Sequence, residues 1–222
     1  MIIRESSEGD YTSIEHEVLP GIIETIKVIT REKSRRIAEY AFEYALLSNR
    51  KKVTVVHKAN VSKVVDAQFL EVAQEVASQY PDIVFEEMHV GRCCTNLVKN
   101  PQEFDVMLMP NTYGSVIGNI CAALVGGPGV APGANVGQEY TMFEQGARHS
   151  ARNLAELGTA NPTGFLLSAA MMLRHMNLPL FAEIMQNSVI RAIREGKGTP
   201  DIGGSSSTRE FTREVTKILE QS

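Results

Sequence analysis

The sequence predicts an α/β fold in which short apolar strands alternate with amphipathic helices. Three observations carry this. "VTVVH" (Val53–His57) and "FDVMLMP" (Phe104–Pro110) are short apolar runs of strand length. The stretches between such runs space their apolar residues as helices do. The chain has no internal repeat and no low-complexity segment that would point to another architecture.

The elements follow in order. Ser34–Leu47 puts Ile37, Ala41, Phe42, Ala45 and Leu46 on one helical face, with Ser34 as its N-cap. "NRKK" turns into the β-branched strand Val53–His57, which ends at Lys58. Val64–Tyr80 is a second amphipathic helix closed by Pro81, Ile83–Val90 a strand, and Arg92–Asn100 a short helix that stops before Pro101. Phe104–Pro110 reads as a buried strand, and Asn111–Leu124 as a turn followed by a helix with Ser115 and Asn119 on one face. Leu124–Gly137 holds five Gly and two Pro in fourteen residues, and reads as a long loop, too irregular for a strand. It is neither a P-loop nor a dinucleotide fingerprint. Ala160–Met176 reads as a long buried helix with Pro162 in its first turn and the pair Met171 and Met172 in the core. The tail is a Gly/Ser loop and a last helix capped by Ser207 or Thr208.

Composition narrows the function. The 222 residues are 43% hydrophobic and 22% charged, with a net charge of −4. That balance argues against nucleic acid or an anionic membrane as partner. No apolar run reaches the roughly 18 to 20 residues of a membrane helix. Cys93, Cys94 and Cys121 fit neither a disulfide framework nor zinc spacing, and read as thiols buried or partly buried in a reducing compartment.

Chemistry-bearing residues concentrate in a few places. Arg4, Glu8, Asp10 and Tyr11 crowd the first eleven positions, and Lys58 and Asn60 follow a strand end. Arg suits bidentate capture of a carboxylate. Tyr and Lys from separate segments suit proton transfer to an enol or enolate. On the other hand, such a cluster is also what a solvated turn looks like.

"IIRESSEGDYTSIEH", "VHKAN", "FDVMLMPNTYGSVIGNICAALVGGPGVAPGANVG" and "ANPTGFLLSAAMMLRHM", in that order, resemble the β-decarboxylating isocitrate/isopropylmalate dehydrogenases over essentially the whole chain. The resemblance implies a small domain with a dimerisation clasp at residues 1–107, the clasp near Glu15–Lys27. Residues 108–222 would form the C-terminal half of the large, cofactor-cleft domain. Family members begin with a long segment that has no counterpart here, so the resemblance implies a fragment or a truncated gene product.

The resemblance also implies roles. Arg4 falls on a carboxylate-binding Arg, Tyr11 on a catalytic acid, and Lys58 on a proton-transfer lysine offered to a neighbouring subunit. The family's three metal-binding aspartates fall on Gly91, Ser115 and Asn119. A hydrogen, a hydroxyl and an amide do not replace three hard anionic ligands, so no metal is expected on this chain. In "FEQGARHSARNLAELG", the family's ring-binding His falls on Ala147 and its ribose-binding Asp on Arg152. Arg148, His149 and Arg152, with Asn161 at the adenine-contact position, suggest a loop remade for an anionic ligand such as AMP or ADP, or simple drift.

This pattern resembles the regulatory subunits of the hetero-oligomeric, mitochondrial NAD-dependent isocitrate dehydrogenase. It implies a partner catalytic subunit that carries NAD and Mg²⁺ or Mn²⁺, citrate as a candidate ligand of Arg4, and a mitochondrial matrix location. Two further readings are a purely structural assembly subunit and an active dehydrogenase with displaced ligands among Glu8, Asp10, Asp66 and Asp105.

Overall fold

The run Val106–Met109 has no polar face to offer water, and it forms β6, buried at every position near the middle of a four-stranded sheet. The structure, a computed structural model, describes residues 1–147 and 149–221, in two compact units, Met1–Ile120 and Cys121–Ser222. Arg148 lies outside the described residues.

In the first unit the sheet order is β1 (Ile2–Arg4), β6, β4 (Lys52–His57) and β5 (Val84–His89), all parallel. Parallel neighbours need crossovers, which α1 (Arg31–Leu47), α2 (Val65–Ala77) and α3 (Val90–Lys99) supply. Ala38, Ala41, Phe42 and Ala45 of α1 and Phe69, Ala73 and Val76 of α2 pack on Ile3, Val53, Val55, Val106 and Leu108. Each large side chain buried in this way contributes about 1.5–3 kcal/mol relative to exposure. Small alanines on α1 let the helix lie close to the sheet while Phe42 fills the depth beside Tyr80, ring centroids 5.4 Å apart.

Between β1 and α1 the chain forms an antiparallel hairpin, β2 (Ile14–Leu19) and β3 (Ile22–Ile26), where a clasp was expected. Every residue of both strands is exposed, Ile23 at 69% and Leu19 at 60%.

The helix expected from Ser34 begins three residues earlier. Thr30 is its cap, accepting the Lys33 N–H at 3.3 Å, and Ser34 is buried with its hydroxyl donating to the Thr30 carbonyl. α4 (Asn111–Leu124) follows β6 after Pro110 alone, with no intervening turn. Among the thiols, Cys93 is buried and Cys94 and Cys121 are half-buried.

In the second unit the Gly-rich stretch is not all loop. A 3-10 turn at Pro128–Val130 leads into β7 (Pro132–Val136), which pairs antiparallel with β8 (Thr141–Gln145). Glycine is what permits the pairing: a Cβ on Gly133 would lie 2.7 Å from the Gly146 Cα. α5 (Thr163–His175) packs on this ribbon, its Ser168 hydroxyl 2.6 Å from the Glu144 carbonyl and accepting the Gly133 N–H at 3.1 Å. Only one side of α5 is buried in this chain. Phe165 is 63% and Met172 38% exposed, so the expected core methionine lies at the surface. α6 (Pro179–Arg194) and α7 (Thr208–Leu219) close a second core around Val189, Ala192, Phe211, Val215 and Ile218. Ser207 caps α7 in a capping box with Glu210.

Candidate functional site

Parallel sheets gather loops at the carboxyl ends of their strands, and ligands bind there in open α/β folds. In the first unit that edge carries Arg4 at the end of β1, Lys58 after β4, and the start of α4 after β6. The sequence-predicted Arg4 and Tyr11 do come together. Tyr11 lies on a 3-10 turn, Asp10–Thr12, and the Arg4 guanidinium carbon sits 5.5 Å from its ring centroid. Such a contact orients both groups while the Tyr11 ring stays 54% exposed.

Arg4 is aimed by α4. Its Nε and Nη2 donate to Asn111 Oδ1 at 3.0 and 2.5 Å, and Asn111 in turn donates to the Glu8 carbonyl at 2.7 Å. Gly114 leaves room for the arginine stem, because a Cβ there would meet Arg4 Cγ at 2.5 Å. Two buried carboxyls shape the loop between them. Glu5 accepts from the Glu8 N–H and from both the N–H and hydroxyl of Ser7, and Glu8 accepts from the N–H and hydroxyl of Thr30.

Lys58 enters the same edge through Asp66, which the sequence offers only as a candidate displaced metal ligand. Asp66, fully buried in the first turn of α2, accepts the Lys58 N–H at 2.7 Å and the Tyr113 hydroxyl at 2.8 Å on one oxygen. Its other oxygen lies 3.9 Å from Lys27 Nζ and has no hydrogen bond. At that separation Lys27 acts on Asp66 by charge alone. Lys27 also stands 3.4 Å from Asp10 and 5.6 Å from the Tyr113 ring centroid.

Two titrations are perturbed here. Burial, then the hydrogen bond to Asp66 and the negative charges of Asp66 and Asp10, push the Tyr113 hydroxyl far above the ordinary tyrosine range, so it remains a donor. Burial opposes the charge on Asp10, but the hydrogen bond from Thr112 and the Lys27 charge outweigh it and hold that carboxyl below its ordinary value. Beside Lys58, His57 is buried, accepts the Ala59 N–H on Nδ1 at 3.2 Å, and lies with its ring centroid 4.8 Å from that of His89, the rings tilted at 50°. Burial and the neighbouring imidazole hold it below its ordinary value.

The carboxylates weighed as displaced metal ligands form no cluster of three among the described residues. Asp10 and Asp66 converge on Lys27, whereas Asp105 lies at the opposite end of the sheet, held by Arg50 and the N–H groups of Lys51 and Lys52. Gly91 is on α3 facing open space, and Ser115 and Asn119 sit one turn apart on α4. This donor set does not fit Mg²⁺ or Mn²⁺, which require anionic or carbonyl oxygens in number.

In the second unit Ala147 is buried, and His149 and Arg152 lie exposed on the loop beyond β8. The His149 carbonyl accepts from Gln145 Nε2 at 2.5 Å. Asn161 serves the fold: Nδ2 donates to Asp201 at 3.0 Å and Oδ1 accepts the Thr163 N–H at 2.9 Å at the start of α5. With neither an imidazole at 147 nor a carboxylate at 152, these residues do not fit the ring and ribose of NAD.

A family model described as isocitrate/isopropylmalate dehydrogenase matches residues 1–216. The chain belongs to that family. It is 52% identical over 226 residues to a mitochondrial NAD isocitrate dehydrogenase regulatory subunit 2 of Arabidopsis thaliana, an alignment covering 99% of this chain and 61% of the relative. With the mitochondrial NAD isocitrate dehydrogenase subunit gamma of Homo sapiens it shares 48% identity over 220 residues, 99% of this chain and 56% of that one. The crystal structure of isocitrate dehydrogenase from Methylococcus capsulatus superimposes with a TM-score of 0.94 at 38% identity, covering 99% of this chain and 67% of that one. The resemblance drawn from the motifs therefore holds for the family and its fold. The chain spans 61% of the length of the plant relative and 56% of the human one.

Proposed function

We propose that this chain is a non-catalytic, regulatory subunit of a mitochondrial NAD-dependent isocitrate dehydrogenase, working in the matrix beside a catalytic subunit. One observation carries the reading: where the family places three metal-binding carboxylates, this chain offers Gly91, Ser115 and Asn119. The names of its relatives, regulatory and gamma subunits, support the same role. NAD and the divalent cation belong to the partner in this reading, and no step on this chain runs through either.

What this chain contributes is positioning and proton handling. Arg4, braced by Asn111 and lying against Tyr11, presents a guanidinium suited to a carboxylate, and citrate is the candidate occupant. Lys58, tethered by its N–H to a buried carboxyl, is offered to the partner's site, where its ammonium donates or recovers a proton as the enol forms and collapses.

The test is reconstitution. The chain alone should show no turnover with isocitrate, NAD and Mg²⁺, and Lys58→Ala should lower kcat of the assembled enzyme by about tenfold or more. Clear turnover by the chain alone, or unchanged kinetics of a saturated Lys58→Ala complex, overturns the proposal. A second reading, an assembly subunit without a small-molecule ligand, is favoured by the engagement of Asn161 in the fold. Calorimetry of the complex with citrate and with AMP, comparing wild type with Arg4→Ala and Arg152→Ala, separates the two.

A further inference from the structure

We infer that Asp66 is the positioning residue of this edge: its buried carboxyl fixes the backbone at Lys58 and the Tyr113 hydroxyl against one another, and thereby decides where the Lys58 amine is delivered. The inference rests on the role given to Lys58 above.

A carboxyl taken wholly out of water costs several kcal/mol unless its lone pairs are met. Asp66 is 0% exposed, and its two donors come from other elements, the end of β4 and the first turn of α4. Its place in the first turn of α2 sets it where the helix dipole favours negative charge. Yet it does not serve as that helix's cap: the cap position is Val64, with no side-chain hydrogen bond. Fold stability alone does not call for this arrangement. A chain built for stability alone could place apolar side chains at both 66 and 113 and cap α2 with an exposed Ser or Asp.

The carboxyl instead joins three groups that can carry a proton or a charge. Lys58 is held by its N–H, Tyr113 by its hydroxyl, and Lys27 stands at 3.9 Å from the oxygen that has no hydrogen bond. Because the bond is to the Lys58 backbone, Asp66 sets the direction in which the lysine stem leaves the strand, while the amine keeps its freedom to reach a neighbour. The other ties at this turn are local, the Val61 and Ser62 N–H groups donating to the Lys58 carbonyl and the Ala59 N–H to His57 Nδ1, so the Asp66 carboxyl is the side chain that links the turn across to α4.

The experiment uses the assembled enzyme with Asp66→Ala, Asp66→Asn, Lys58→Ala and the Asp66→Ala/Lys58→Ala double variant. Misplacing a reacting group by about 1 Å costs on the order of a hundredfold. Asp66→Ala is therefore expected to lower kcat by about tenfold or more, with the isocitrate KM within about twofold. Asp66→Asn keeps an acceptor oxygen and should retain more of the rate. In the Lys58→Ala background, Asp66→Ala should add less than about twofold, because Asp66 acts through Lys58. Full additivity, or an unchanged Asp66→Ala enzyme, overturns the inference.

Amide hydrogen exchange at Lys58 gives an independent readout, expected to be about tenfold or more faster in Asp66→Ala and in Asp66→Asn no slower than wild type. If Lys58→Ala proves silent, the reading of Lys58 in trans fails by itself, and exchange then decides the role of Asp66: unchanged exchange ends it. Should Asp66→Ala not assemble, Asp66→Asn and Tyr113→Phe carry the same kinetic and exchange tests, each expected to be non-additive with Lys58→Ala. Additivity there overturns the inference equally.

Discussion

Two glycines one turn apart on α4 make a direct test of how Arg4 is seated. A methyl on Gly118 would meet nothing within 4 Å, whereas on Gly114 it would lie 2.5, 2.7 and 2.8 Å from Cγ, Cδ and Cβ of Arg4. Alanine improves the helix by about 1 kcal/mol at either position. For Gly118→Ala that is the whole effect. For Gly114→Ala the arginine must move, and its Cβ is anchored because Arg4 pairs with Met109 in the sheet. Overpacking of this kind costs about 1–3 kcal/mol. Losing the Arg4 bonds to Asn111 adds about 1 kcal/mol. The balance is a destabilisation of about 1–3 kcal/mol for Gly114→Ala against a gain of about 1 kcal/mol for Gly118→Ala. At about 2–4 °C per kcal/mol for a chain of this size, thermal melts followed by circular dichroism will place the two variants on opposite sides of wild type. Citrate calorimetry on the complex should show weakened binding only for Gly114→Ala. A Gly114→Ala protein that melts as high as Gly118→Ala would refute the reasoning, since the glycine would then not be there for the arginine.

His57 is held below its ordinary value of 6.5 by burial and by His89, so the unfolded chain takes up the proton first. Its contribution to stability is present above that value and is lost as the pH falls from there toward the folded value. Urea midpoints measured at about pH 7.5 and about pH 5.5 should differ less in His57→Gln than in wild type. Ser207→Ala removes the capping box of α7 and should lower stability by about 1 kcal/mol in the same denaturation assay, while leaving the complex's kcat unchanged.

Much of the first unit was legible because its physics is local. β6 is continuous apolar sequence of strand length, as a parallel strand buried on both faces is. The hairpin announces itself by alternation around Pro20 and Gly21. Elsewhere, local reading misled. Pro132, Gly133 and Gly137 look like loop residues, yet Pro is tolerated as the first residue of a strand, and the close approach to Gly146 needs glycine. Pro179 opens α6, because proline in a first turn favours a helix rather than breaking it. Thr30 and Ser34 are both residue types that cap helices, and it is Thr30 that does so here.

The site divided along the same line. Arg4 and Tyr11 are near in sequence and near in space. Tyr113 and Asp66 are 47 positions apart, and no pattern along the chain marks a carboxyl whose partners come from two other elements. Burial is the signal that finds it. Within an amphipathic helix, position 66 falls on the same face as Phe69 and Ala73, which places a charge where the pattern asks for a hydrophobe.

The parallel partner of β1 is β6, more than a hundred residues further along the chain. A ribosome adds roughly 5–20 residues each second, so Ile2 and Ile3 wait on the order of 5–20 s before the strand that shelters them exists. Closing so long a loop is also entropically unfavourable, and sheets made of distant pairs form slowly. Arg4 is set in place by the same event, because Asn111 and Gly114, which receive it, emerge directly behind β6. The Arg4 end of this unit is thus completed only once β6 and the start of α4 have been made, and until then β1 lacks the neighbour that shelters Ile3.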